Sequence, residues 1–198
     1  SKQSLKQSHS LYSEQIKAST LTFKLPHETS DLRHEMCAQI FLVAMRQARN
    51  SEVFLYISRK DQDCILAAVW SQLFLLHASF WPLDMNVNDV EAVRIQRALG
   101  ICRNLKIDTV ELAMLEVLVL CRPDLITFCE ISTQRLVMFQ EHTQLTLAQY
   151  TSLTSASRFG ALLLILPVLN GPIAGNIKKM LFDPVIGNVP IEHIIAVI

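Results

Sequence analysis

Glycine and proline are scarce, 5 and 7 in 198 residues. A loop-rich or all-β fold needs them at its many turns, so their scarcity points to long helices. Cysteine is present but unorganised. Cys37, Cys64, Cys102, Cys121 and Cys129 make no CxxC pair and are odd in number. That excludes a disulfide framework and a zinc module and favours a reducing compartment. Neither sign of charge is in excess, with 18 basic and 18 acidic residues. The domain therefore lacks the electrostatic footprint of a nucleic-acid binder. No signal peptide opens the sequence, and there is no glycosylation sequon. The longest apolar run, Ala161 to Leu169, is about half of what a bilayer requires, so no membrane partner is expected.

Catalytic and metal chemistry are equally hard to find. No glycine-rich phosphate loop and no Ser/His/Asp or Cys/His constellation is readable, so no catalytic residues and no cofactor are assigned and an enzyme is not expected. His34 and Cys37 lie three apart on one helix, a spacing that metals use, but two ligands without further partners make a poor site and no metal is assigned. Asp61 and Asp63 fall in an early helical turn, where capping and solvation are the commoner duties.

What is abundant is apolar side chain, 51% of the sequence against 18% charged. One domain of this length buries a continuous core, and the surplus calls for partners. Residues 1–25 read as a hinge or leader, rich in Ser, Gln and Lys, and residues 26–198 as the domain. Ser30 is a cap candidate before Leu32, Met36, Ile40 and Val43, whose spacing predicts a helix to about Arg49. A helix over Asp61 to Trp81 is apolar nearly all round and belongs at the centre of the domain. Further helices are expected from Asn88 or Asp89 to Asn104, from Asp108 (with Glu111 completing a capping box) to Cys121, and from Ile131 to Tyr150. Others follow from Arg158 to Asn170, kinked at Pro167, and from Asn176 to Phe182. Gly171-Pro172 marks a distortion. Pro190 starts a short last helix ending at Ile198. The one place with room for strands is a short β-hairpin at 81–87. The class is all-α.

The stretch from Phe54 through Asp61, Gln62, Ile65, Leu66, Trp70, Leu73 and Phe74 resembles the signature of the nuclear-receptor ligand-binding domain. Asp108-Thr-Val-Glu-Leu-Ala-Met-Leu115 looks like that family's eighth helix and Arg158-Phe-Gly-Ala-Leu-Leu-Leu-Ile-Leu-Pro167 like its tenth. Leu181 to Ile191 resembles the approach to its last helix. The resemblance spans Ser30 to Ile198 and implies a three-layer antiparallel helical sandwich. Arg-Phe-Gly-x-Leu-Leu-Leu and Ile-Gly-Asn-Val-Pro-Ile are most similar to the branch of the tailless and photoreceptor-specific orphan receptors, which mostly repress transcription in the nucleus.

In that family a surface groove takes an amphipathic coregulator helix, gripped at its ends by a Lys and by an acid on the last helix. The resemblance places Leu42, Met45, Arg49, Asp63, Leu66 and Ala67 in the groove, with Arg49 in the place of the Lys. It puts Val197 where the acid belongs. Losing one charge-assisted bond costs about 1.5–3 kcal/mol, so coactivator binding is expected to be weak. The apolar last helix, Ile191, Ile194, Ile195 and Ile198, is suited to fill the groove itself. The expectation is an autorepressed domain presenting a corepressor surface of the Atrophin type. The alternative is a ligand-regulated activator or a heterodimerisation module. Phe74, His77, Phe80, Trp81 and Met85 are candidates to line a collapsed or tiny pocket, with His77 more simply a satisfied core residue. Arg158, Leu162, Leu166 and Leu169 are candidates for a homodimer or heterodimer surface on the tenth helix, though core packing explains most of the run from Leu162 to Leu169. Gln72 stands where relatives carry the Glu that pairs with a distant Arg, which leaves Arg158 short of that partner. DNA contact is implied only through a separate domain.

Overall fold

The computed structural model describes residues 28–85, 89–126, 129–170 and 173–198. The leader read over residues 1–25, Val87, the cap candidate Asn88 and the Gly171-Pro172 break lie outside the described residues. Arg33–Ile198 forms one compact unit.

Nine α-helices make up the described fold: α1 Glu28–Arg49, α2 Arg59–Ala78, α3 Val90–Leu105, α4 Thr109–Leu120, α5 Glu130–Ser152, α6 Arg158–Leu169, α7 Ile173–Ile177, α8 Asp183–Ile186 and α9 Ile191–Val197. A π-helical stretch, Lys178–Phe182, joins α7 to α8. The caps are those the side chains allow. Ser58 accepts the Asp61 amide at the start of α2, and Asp89 accepts the Glu91 amide at the start of α3. Asp108 and Glu111 close a reciprocal capping box on α4, satisfying two donors that the first helical turn leaves orphaned.

Helix α2 is the centre. Every residue from Val69 to Ala78 is buried, including Ser71, Gln72 and His77, so no face of its second half is left for water. It packs against α3, α4, α6, α7 and α9, and α5 lies against α4 and α6. At its heart Phe182 meets Phe74, Phe41 and Trp70 edge-on, at centroid distances of 5.4, 5.4 and 5.9 Å. Offset and edge-on rings of this kind add stabilisation beyond the area they bury.

Three expectations need correction. No strand forms over residues 81–85. Arg103 Nη2 donates to the carbonyls of Trp81 (2.7 Å) and Leu83 (2.8 Å), and the Met85 amide donates to Gln96 Oε1 (3.1 Å). Side chains of α3 thus take the backbone groups that a hairpin partner would need. Second, Phe80 and Trp81 are 48% and 40% exposed and do not fill the interior; only Phe74, His77 and Met85 of that set are buried. Third, Leu162 and Leu169 are fully buried and Leu166 is half-buried, so this face of α6 belongs to the core. The 3.6-residue period turns Gly160, Leu164, Pro167 and Val168 outward instead.

Arg158 is also not a surface residue, and it does have an acid. Its Nε donates to Glu111 Oε1 at 2.7 Å and its Nη1 to the Leu105 carbonyl at 2.6 Å. The pair is mostly buried, with side chains 16% and 3% exposed. Glu111 therefore completes the α4 cap and neutralises Arg158 at once. Removing one partner of a buried pair leaves the other charge uncompensated. Arg158→Ala is expected to lower stability by about 3 kcal/mol, seen as a lower midpoint in urea unfolding at unchanged slope.

Burial raises the thiols of Cys37 and Cys121 to about 12 and that of Cys102 to about 11. The folded-state preference for the neutral thiol is fully present below the ordinary value of 9.0 and is lost as pH climbs through 11 to 12. Cys64 and Cys129 are exposed, and a hydrogen bond from Ser132 holds the Cys129 thiol below its ordinary value. A thiol alkylating reagent at pH 8 is expected to modify Cys129 first, then Cys64, and to leave the other three intact until the chain unfolds, read by mass spectrometry of the peptides.

Candidate functional site

The most concentrated chemistry on the surface lies where the end of α1, the start of α2 and α9 converge. Arg49 closes α1, and its guanidinium is buried although the residue terminates a surface helix; the side chain is only 7% exposed. Nη1 donates to Gln62 Oε1 at 3.1 Å. Nη2 forms an ion pair with Asp63 and donates its second proton to the carbonyl of Ile195 at 3.0 Å. Gln62 is fixed in turn, its Nε2 donating to the carbonyls of Phe54 (3.1 Å) and Ile57 (3.0 Å) in the connection before α2. A second cation, Arg59, reaches the next carbonyl of α9, donating from Nη2 to Ala196 at 3.1 Å. Its Nε lies 3.4 Å from Asp63 Oδ1. Asp63 thus sits between two arginines, both of which grip the last carbonyls of α9.

The chemistry is that of a helix end. The last four carbonyls of a helix lack intrahelical partners and carry the negative pole of its dipole, so cations placed there stabilise it. Helix α9 is short, and in isolation it would not hold its shape. Ile191 and Ile195 are buried, Ile194 and Ile198 half-buried, and α9 packs on α2. Met45 and Leu66 have no solvent exposure, while Leu42 and Ala67 are half-buried. The structure therefore brings Arg49, Asp63 and the isoleucines of α9 to one place, with Met45 and Leu66 beneath the surface. Val197 points away, 84% exposed.

Arg59 was not singled out from sequence. The i,i+4 spacing of Arg59 and Asp63 was the available signal, since such pairs meet on one helix face. Gln62 was read only as part of the signature, and its work of pinning Arg49 to the connection emerges from the structure. Asp61 proves to be a capping partner, its carboxylate accepting the Ser58 hydroxyl at 2.6 Å. Among the described residues no group of three or more His, Cys, Asp or Glu side chains could hold a metal, and no single helix is long and apolar enough to cross a membrane.

Beyond the signature along α2, His77 is a partnered core residue. It pairs with Glu116 of α4, whose other oxygen accepts from Gln47 Nε2 at 2.8 Å. Phe74 packs edge-on against Phe182, leaving that stretch of α2 filled by side chains. Two open clefts lie elsewhere: one of about 400 Å³ between α1 and α4, lined by Gln47, Asn50, Glu116 and Val117 among others, and one of about 370 Å³ lined by Arg94, Arg97, Val168 and Asn176 among others.

No family model matches the chain. Over 81% of its length it is 28% identical to the steroid receptor seven-up, isoforms B/C, of Drosophila melanogaster, covering 34% of that protein. It is also 28% identical, over 81% of its length, to nuclear receptor subfamily 2 group F member 6 of Rattus norvegicus and of Homo sapiens, covering 47% and 45% of those proteins. The chain thus spans a third to a half of the curated relatives it matches. Among solved structures, the Ultraspiracle ligand binding domain from Drosophila melanogaster superposes with a TM-score of 0.60 over 80% of this chain and 75% of that one, at 21% identity. Helical architecture and this superposition agree: the chain has the fold of a nuclear-receptor ligand-binding domain, and its sequence is similar to that of the receptors named above.

Proposed function

We propose that this domain serves transcriptional repression in the nucleus, with its last helix in an autorepressed position and a corepressor, of the Atrophin type, as its partner. The observation that carries the reading is the placement of Arg49. The cation that the family offers to a visiting coregulator helix here donates to the carbonyl of Ile195 in the chain's own α9. A coactivator helix would have to displace α9 and would then find Val197 where an acid should meet its first amides. Both costs fall on the coactivator. The motifs Arg158-Phe-Gly and Ile186-Gly-Asn-Val-Pro support a place near the tailless and photoreceptor-specific receptors, and the relatives named seven-up and group F support the same wider neighbourhood. The domain works by binding rather than by turnover, and it reaches DNA only through a separate domain.

The ligand side of the reading rests on packing. Phe74 and Met85 are buried, and Phe182 closes on Phe74 at 5.4 Å, which favours a collapsed pocket over a ligand-regulated activator. Peptide binding decides between them. A corepressor helix is expected to bind the purified domain more tightly than a coactivator helix, and Val197→Glu is expected to raise coactivator affinity about ten- to a hundredfold, the worth of one charge-assisted bond. Tight coactivator binding by the unaltered domain would move the activator reading ahead.

A dimerisation role is favoured by a separate observation. On the outer face of α6, Leu164 is 73% and Val168 43% exposed, an apolar strip beside Pro167. If this strip joins two domains, sedimentation velocity is expected to show a dimer for the unaltered protein and a monomer for Leu164→Glu, with helix content unchanged.

A further inference from the structure

Glu116 is a buried carboxylate, 8% exposed, that has no permanent cation beside it. Every other acid that forms an ion pair among the described residues meets an arginine or a lysine; Glu116 meets only His77. Its Oε1 is taken by His77 Nε2, and its Oε2 accepts from Gln47 Nε2 at 2.8 Å. An ionised carboxylate offers about four acceptor sites, so each oxygen has room for one more donor.

That room opens onto a cavity. Glu116 and Gln47 both border the cleft of about 400 Å³ between α1 and α4. Ala44 and Ala48 stand one turn apart on α1, and Ala113 borders the same space from α4. Three methyl-sized side chains leave the gap, and the buried Leu73 and Leu120 give it apolar walls. A volume of a few hundred Å³ with apolar walls and a few placed polar groups is the make-up of a small-molecule site. Among the described residues that border it none is basic, and Glu116 alone is charged.

We propose that this cleft is a binding site for a small organic ammonium with an apolar body, anchored by Glu116, whose carboxylate Gln47 fixes. Electrostatics selects the guest. Beside a largely desolvated carboxylate a full positive charge is worth far more than in water, while a second anion is repelled. A neutral guest gains only the apolar contact. An ammonium is a compact charge with three rotatable donors, so it meets the free acceptor sites in many orientations. The site shares no residue with the cluster around Arg49, so it stands or falls apart from the repression reading.

The test uses tryptamine with its neutral and anionic counterparts, tryptophol and indole-3-acetate, which share one apolar body. Calorimetric titration of the full chain is expected to show saturable tryptamine binding, about tenfold or more tighter than tryptophol, the discrimination of one charge-assisted bond. Indole-3-acetate should not bind. Amide NMR shifts on adding tryptamine should centre on Ala44, Ala48 and Ala113. Glu116→Gln keeps the shape of the side chain and should bring tryptamine down to the affinity of tryptophol. Ala113→Leu changes an exposed residue at the cleft, so the fold should survive and both indoles should bind more weakly alike. Equal affinity of the unaltered chain for tryptamine and tryptophol would overturn the ammonium assignment. No tryptamine binding at millimolar concentration, shifts centred away from the cleft, or affinity unchanged in Ala113→Leu would overturn the site.

Discussion

A helix without a polar face has to be surrounded, and the second half of α2 is. Ten consecutive buried residues, Val69 to Ala78, leave water no access on any side. The neighbouring helices are placed by that demand. Burying each large apolar side chain is worth about 1.5–3 kcal/mol, and α2 contributes Val69, Trp70, Leu73, Phe74, Leu75 and Leu76 in one run. The polar members of the run are the informative ones. His77 is tolerated there because Glu116 and Gln47 complete a hydrogen-bonded chain around it. Gln72 stays buried without a charge, and the ion pair that stabilises this part of the fold runs instead between Arg158 and Glu111.

The same constraint shapes the candidate site. The start of α2 must emerge from the core into solvent, and it does so through Ser58, Arg59, Asp61 and Asp63, all polar, with Asp63 paired to Arg49 of α1. Because α1 ends at Arg49 against this polar turn, two guanidiniums and one carboxylate converge at a rim whose floor is apolar. A short helix laid on that floor with its carbonyl end toward the rim satisfies both at once. Helix α9 is such a helix, and its isoleucines supply the apolar contact that its seven residues could not exploit alone.

Much of the architecture was legible locally. Caps at Asp89 and Asp108, the Glu111 capping box, the end of α1 at Arg49 and the start of α6 at Arg158 follow from side chains that satisfy the first or last turn of a helix. The hairpin at 81–87 failed over 81–85 because its backbone groups are taken by Arg103 and Gln96, far along the chain. Leu162 and Leu169 stood open between core and dimer surface because an apolar run of nine residues has no polar member to show which face turns inward, and burial settles them as core. Phe80 and Trp81 were misread for a different reason: size alone does not say whether an aromatic ring at a helix end folds in or out.

Sequence by itself determined the helical class, the central place of α2, the apolar last helix and the absence of an acid at Val197, since these depend on periodicity, capping chemistry and residue type. Tertiary structure alone decided the partners. That Arg158 belongs to Glu111, that His77 belongs to Glu116, and that Arg49 and Arg59 hold the carbonyls of Ile195 and Ala196 are pairings across 39 to 146 positions. A charge carries no mark of its partner in one dimension. Only folding brings a cation near several acceptors and lets burial select the one it can least afford to leave unpaired.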